Sequence, residues 1–327
     1  MSRETAQPKT LRDWLDVTER RLRNAKLWFG HGTHTAREEA AWLLAHVLKL
    51  EHARLDRCPA RELTRAERRK ALRLIGLRVR ARRPLAYLVK EAWLGNHRFY
   101  VDERAIVPRS FIAELLRDGL RPWIARPLNV RRVLDLCTGS GCLAILAARA
   151  FPRAAVDATD ISRTALAVAR RNVRAYGLRR RVTLSRADLF AGLEPAQYDL
   201  ILANPPYVAA RVMRTLPREY SHEPRLALEG GRDGLRFARR ILQDAARFLR
   251  PRGMLVIEIG HNRRALERAF PRTSFTWPET SAGSDCVFLL SREDLPSKQQ
   301  APSLSPESLI DRNKHSSRLA AGNMRTV

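Results

Sequence analysis

From Arg132 onward, short apolar runs and helix-patterned segments take turns along the chain, and this alternation limits the fold more than any other feature of the sequence. The runs at 133–136, 155–158, 182–184, 200–203 and 254–259 predict strands. Between them, 143–150, 163–176 and 235–249 combine helix-forming composition with an apolar face suited to cover a sheet. Such repetition implies a parallel, doubly wound α/β sheet. Two later runs, 274–277 and 287–290, read as closing strands.

The first ninety residues have another rhythm. Leu11, Trp14 and Leu15, then Ala40, Leu43, Leu44, Val47 and Leu48, recur every three or four positions and predict a small helical domain over 10–90. Residues 93–101 hold two short apolar stretches around Gly95-Asn96, which reads as a hairpin within a linker over 91–110. The α/β domain follows over 111–295. Residues 296–327 hold no aromatic side chain and are rich in Ser and Pro, so they predict a disordered tail that adds nothing to stability.

Sixty-one Lys and Arg against 34 Asp and Glu give a formal charge of +27, a field that draws a protein toward polyanions such as RNA. An arginine-rich bias spread over a solvated surface accounts for the same count. Within 61–83, ten cations oppose only Glu62 and Glu67 along the helical spacing Leu72, Ile75, Val79, so one helix face is a candidate for RNA phosphates. No apolar run is long enough to cross a membrane, and the start lacks a secretory signal, so a cytoplasmic location is expected. Cys58, Cys137, Cys142 and Cys286 form no CxxC pair, and His31 and His34 lack acidic or thiol partners nearby. No metal site is expected, and the two histidines read as loop or capping residues.

The chemistry-bearing residues lie where the predicted strands end. Asp135, Cys137, Thr138, Gly139, Ser140 and Gly141 close the first strand with a glycine-containing turn into a helix, where a backbone can approach a ligand. The second strand ends at Asp160, at the spacing from which a carboxylate reaches both ribose hydroxyls, and the third ends at Asp188. A strict GxGxxG and a Walker lysine are both absent, so a cationic sulfonium carrying adenosine suits these acids better than a pyrophosphate. The fourth strand runs into Asn204-Pro205-Pro206-Tyr207, a tetrapeptide that chance would place in about 0.2% of chains of this length. Paired prolines forbid helix and fix an extended turn with free carbonyls. A planar NH2 group has two donor hydrogens, which the Asn204 side-chain oxygen and the Pro205 carbonyl match, while Tyr207 packs on its flat face.

The Asp135 turn, Asp160 and the Asn-Pro-Pro-Tyr strand end together resemble the class I, seven-stranded S-adenosylmethionine methyltransferases of the amide and adenine branch. Residues 27–295 resemble, within it, the ribosomal protein glutamine N(5)-methyltransferases. The segments that carry the likeness are Trp28-Phe29-Gly30-His31-Gly32-Thr33, Pro84-Leu85-Ala86-Tyr87-Leu88 and Phe99-Tyr100-Val101-Asp102-Glu103-Arg104-Ala105-Ile106-Val107-Pro108-Arg109-Ser110. Ser110 after Arg109, and Cys137 within the turn, point away from the sister release-factor enzymes, where a proline with an acidic pair and a glycine are usual. The resemblance implies S-adenosyl-L-methionine as cofactor, with residues 137–141 on its methionine part, Asp160 on the ribose, Asp188 and Leu189 on the adenine. It implies a substrate glutamine of large-subunit ribosomal protein L-three held by Arg109 and Asn204 to Tyr207, with ribosomal RNA or assembling particles nearby. Phe111 and Cys286 depart from the family's usual proline and glycine, the first near the expected substrate entrance. Methylation of a release-factor glutamine or of adenine in nucleic acid uses the same acceptor geometry, and a cofactor-binding assembly factor without turnover is a reading of another class.

Overall fold

The computed structural model describes residues 8–194 and 198–296, so the expected tail, apart from Pro296, lies outside the described residues. Helices α1 (Leu11–Asn24), α2 (Ala36–Leu48), α3 (His52–Leu55), α4 (Arg65–Ala81) and α5 (Leu85–Val89) form the N-terminal part. Thr10, Thr35 and Thr64 cap α1, α2 and α4, and Asp13 and Glu67 complete capping boxes, which is why the apolar periodicity begins where it does. Trp14, Leu43, Leu44, Ile75 and Tyr87 share one buried cluster among these helices. The hairpin is present as β1 (Ala92–Leu94) and β2 (His97–Phe99), paired antiparallel around Gly95 at φ +57°.

After α6 (Ile112–Arg117) come β3 (Arg132–Leu136), α7 (Cys142–Ala150), β4 (Ala155–Asp160), α8 (Arg163–Ala175), β5 (Val182–Arg186) and β6 (Tyr198–Ala203). Then follow α9 (Ala210–Met213), α10 (Arg236–Asp244), β7 (Leu249–Glu258), α11 (Arg263–Ala269) and β8 (Val287–Ser291). The sheet runs β5-β4-β3-β6-β7-β8, parallel except for β8. Two apolar clusters, one against each face, sandwich it. This is the doubly wound architecture expected from the alternation.

Three expectations shift. Residues 274–277 meet the sheet edge through a single antiparallel bridge, Thr276 to Leu289, so the seventh position is filled by two backbone hydrogen bonds and no formal strand. The helix expected over 235–249 stops at Asp244, turns once more through Ala245–Arg247 and enters β7, because the Phe248 carbonyl accepts the Tyr198 N–H at 2.8 Å. Apolar spacing fits helix and strand alike there, and sheet pairing decides. Asp188 lies two residues past β5 instead of ending it.

The basic segment over 61–83 contains a cation that is turned inward. Arg78 has no exposed surface: its Nε donates to Glu39 at 2.5 Å, its Nη2 to the Trp28 carbonyl at 2.7 Å, and its Nη1 lies 3.6 Å from Glu219. Arg82 pairs with the same Glu219 at 2.8 Å, and Arg61 and Arg83 pair with Glu67 and Glu103. Four of the ten cations thus serve pairs within the protein. Arg78→Ala would leave Glu39 and Glu219 buried without it, and should lower stability by about 3 to 5 kcal/mol. Urea unfolding measures this, and a loss under about 1 kcal/mol would place Arg78 outside the load of the fold.

Candidate active site

The carboxyl ends of β3, β4 and β6 meet where strand order reverses across the sheet, the crevice in which open α/β sheets bind ligands. A cavity of about 190 Å3 lies there. The turns after β3 and β5 line it with Cys137, Gly139, Asp188 and Leu189, and the last residue of β4 with Asp160. The turn after β6 adds Asn204, Pro205, Pro206 and Tyr207, and Arg109 comes from the linker. Residues far apart in sequence are thus brought to one place.

Asp135, Thr138, Ser140 and Gly141, expected against the ligand, are not among the lining residues. Asp135 is wholly buried inside β3, and its Oδ2 accepts from the Thr138 hydroxyl at 2.5 Å and the Ala144 N–H at 3.0 Å. It ties the turn to the start of α7 from behind. Ser140 is held the same way: its carbonyl accepts from Asn172 of α8 at 2.9 Å. Phe111, expected near the substrate entrance, packs its side chain on the cluster around Phe99 and Ile112 and does not line the cavity.

What faces the cavity suits a nucleoside. Asp160 spends one lone pair of each oxygen on its own surroundings, accepting the Gly139 N–H at 2.9 Å and the Ser162 N–H at 2.8 Å, and each oxygen can still accept from a hydroxyl. Burial raises its pKa against those two N–H groups. Gly139 stands at φ +56°, and a Cβ there would point into space approached first by Ile106, at 3.9 Å. Cys137 and Leu189 hold left-handed backbone at φ +57° and +54°, a cost of about 1 to 2 kcal/mol each that clusters at binding sites. Asp188 is gripped by Arg240 through two bonds of 3.1 and 3.0 Å, so its charge is balanced within the protein.

The Asn-Pro-Pro-Tyr turn is held from several directions. Asn204 Nδ2 donates to the Arg109 carbonyl at 3.1 Å, which turns Oδ1 the other way. The Tyr207 carbonyl accepts from Asn262 at 2.9 Å, and its hydroxyl donates to Glu258 at 3.3 Å. Gly260, at φ +54°, passes so close beneath the ring that a Cβ would stand 2.7 Å from Tyr207 Cε2. Arg109 donates twice to Glu223, at 2.8 and 2.6 Å. Burial alone would lift the Glu223 pKa, but Arg109 and then His31 hold it down at about 2. His31 is therefore more than a loop residue: it is buried, 3.5 Å from Glu223, with its ring 4.6 Å from that of Tyr220. Tyr220, Glu223 and Glu258 were not foreseen. Only the apolar residues around Glu258, at the end of the last parallel strand, could have flagged it.

A doubly wound sheet of this order, parallel but for β8, with Asp160 and Asp188 at its crevice beside a rigid pair of carbonyl acceptors, fits a class I methyltransferase, and residues 120–218 match the family model of the methyltransferase small domain. Residues 13–89 match that of the PrmC N-terminal domain. The ribosomal protein uL3 glutamine methyltransferase of Neisseria meningitidis is 53% identical over 286 residues, covering 88% of this chain and 94% of that one. Its namesakes from Bordetella pertussis and Burkholderia pseudomallei are 52% and 50% identical, over 88% of this chain and 96% of each of theirs. The chain belongs to the family of ribosomal protein uL3 glutamine methyltransferases.

Asp135 offers a pH test of this framework. Burial pushes its pKa from 3.8 up to about 7, against the Thr138 and Ala144 donors, and its Oδ1 has no partner among the described residues. The folded state thus keeps the proton longer than the unfolded state. The stabilisation this group brings is complete below 3.8 and is lost as pH rises toward about 7. Asp135→Asn cannot ionise, so its stability relative to wild type should improve between about pH 5 and about pH 8. Urea unfolding at both pH values checks this; an unchanged gap would show that the carboxyl is not held protonated.

Proposed function

We propose that this chain uses S-adenosyl-L-methionine to methylate the side-chain amide nitrogen, N(5), of a glutamine in ribosomal protein uL3, in the cytoplasm. The names of its relatives support the substrate, and one observation supports the chemistry: the Arg109 carbonyl fixes which edge of the Asn204 amide is free. With Nδ2 committed there, Asn204 has an acceptor, not a donor, to offer an incoming NH2 group. No backbone N–H among the described residues bonds to the Pro205 carbonyl, which is the second acceptor.

When bound, S-adenosylmethionine supplies a methyl group made electrophilic by its sulfonium. The protein's part is alignment. Asn204 Oδ1 and the Pro205 carbonyl hold both amide hydrogens, Tyr207 lies against the flat amide, and the nitrogen is directed along the line of attack, where orientation lowers the entropic barrier. As the nitrogen gains positive character, the same two oxygens stabilise it, and water takes the departing proton. Asp160 binds the ribose; Asp188, Leu189, Cys137 and Gly139 enclose the rest of the cofactor. The helices over 10–90 recognise the substrate, and the charge of +27 suits a substrate met on ribosomal RNA or assembling particles.

Asp160→Ala should weaken S-adenosylmethionine binding by about 1 to 3 kcal/mol, the scale of charge-assisted bonds to buried hydroxyls. Calorimetry that finds the affinity unchanged removes Asp160 from the ribose.

Asn204→Ala should leave that affinity within about tenfold and cut turnover by at least about a hundredfold. The substrate itself is tested by the intact mass of uL3 from cells with and without this gene. The uL3 from deficient cells should be lighter by one methylene. An unchanged mass, with a methyl group missing from a release factor instead, would move the chain to that substrate.

A further inference from the structure

Glu258 is the last residue of β7, beside the end of β6, and is 1% exposed. No cation is paired with it among the described residues; three donors meet on it instead. Its Oε2 accepts from the Ser110 hydroxyl at 2.6 Å and the Phe111 N–H at 2.9 Å, and its Oε1 accepts from the Tyr207 hydroxyl at 3.3 Å. Ser110 Oγ in turn accepts the Ile112 N–H at 3.2 Å, so the start of α6 belongs to the same node.

The carbonyl that orients Asn204 is that of Arg109, one peptide before Ser110. A peptide unit is planar, so the direction of the Arg109 carbonyl is set by the plane it shares with the Ser110 N–H. Before that peptide in the chain the Arg109 guanidinium is locked on Glu223; after it, the Ser110 hydroxyl and the Phe111 N–H are locked on Glu258. One carboxylate therefore holds both walls of the acceptor site: the peptide that turns Asn204, and the ring of Tyr207.

We propose that Glu258 is a positioning residue for the methyl acceptor, which sets the orientation of the Asn204 amide through Ser110 and the Arg109 carbonyl and steadies Tyr207 directly. This rests on the reading of Asn204 as an acceptor for the substrate amide. Glu258 does not line the cavity, so it acts through the groups it holds. Its effect falls on turnover, because a misdirected acceptor spoils alignment more than it spoils binding.

The test uses the full chain with Glu258→Gln, which keeps volume and one acceptor oxygen, and Ser110→Ala, which removes the hydroxyl that donates to Glu258 and accepts from the Ile112 N–H. With asparagine labelled in its side-chain nitrogen, NMR locates the Asn204 NH2 signal as the one lost in Asn204→Ala. Both variants should shift that signal and speed its exchange with water. On uL3, Glu258→Gln should lower kcat about tenfold or more with KM within about threefold, and should cost clearly less when added to Asn204→Ala than when made alone, the remainder passing through Tyr207. A role confined to fold stability would lower the melting temperature and leave the Asn204 signal in place. That result, or equal losses with and without Asn204, overturns the proposal. Failure of the wild type to methylate uL3 would instead count against the proposed substrate, while the Asn204 signal still decides the role of Glu258.

Discussion

Two glutamates without exposed surface, Glu219 and Glu223, stand on the short segment that follows the Asn-Pro-Pro-Tyr turn and roofs the cavity with Tyr220 and Leu226. A buried carboxylate is tolerable only with a partner, and here every partner comes from another part of the chain. Arg78 of α4 and Arg82, which caps its end, reach Glu219, while Arg109 and His31 reach Glu223. The roof is thus in place only when the N-terminal helices and the linker are. Tyr220 and Arg109, which the cavity needs, inherit their positions from that seam, as does the carbonyl that aims Asn204.

This dependence explains what could be read from the sequence and what could not. Strands β3, β4 and β6 were legible because each is a run of apolar residues flanked by helix-patterned segments, and the ligand-facing turns follow from strand ends. Asp160 was legible for the same reason. Glu223 and Glu258 were not, since their partners lie 114 and 148 residues away at Arg109 and Ser110, and no local pattern announces a pairing at that range. Arg78 misled in the opposite sense: among ten cations of one segment, nothing local separates the one that is buried from those that are solvated. The overrun of the helix at 235–249 has a local cause, an apolar spacing shared by both periodicities.

Charge divides the site in a way that bears on its substrate. The carboxylates near Asn204 are either neutralised, as Glu223 is by Arg109, or occupied by uncharged donors, as Glu258 is by Ser110, Phe111 and Tyr207. Asp188 is balanced by Arg240. Asp160 alone among these acids faces the cavity without a cation bonded to it, at the end suited to a ribose.

A lysine ammonium needs acceptors for three donors and gains most from an unbalanced carboxylate. A glutamine amide is neutral and planar, has two donor hydrogens, and gains nothing from a charge that would also attract counterions and water. Two carbonyl oxygens on a rigid turn match the second group and leave the first short of both charge and partners. Burial works in the same direction, because it raises the pKa of Glu258 to about 7 and so limits the negative charge that could build up beneath Tyr207. The buried pairs that hold the roof in place therefore also keep the acceptor end electrically quiet, and an amide is the nitrogen such a site favours.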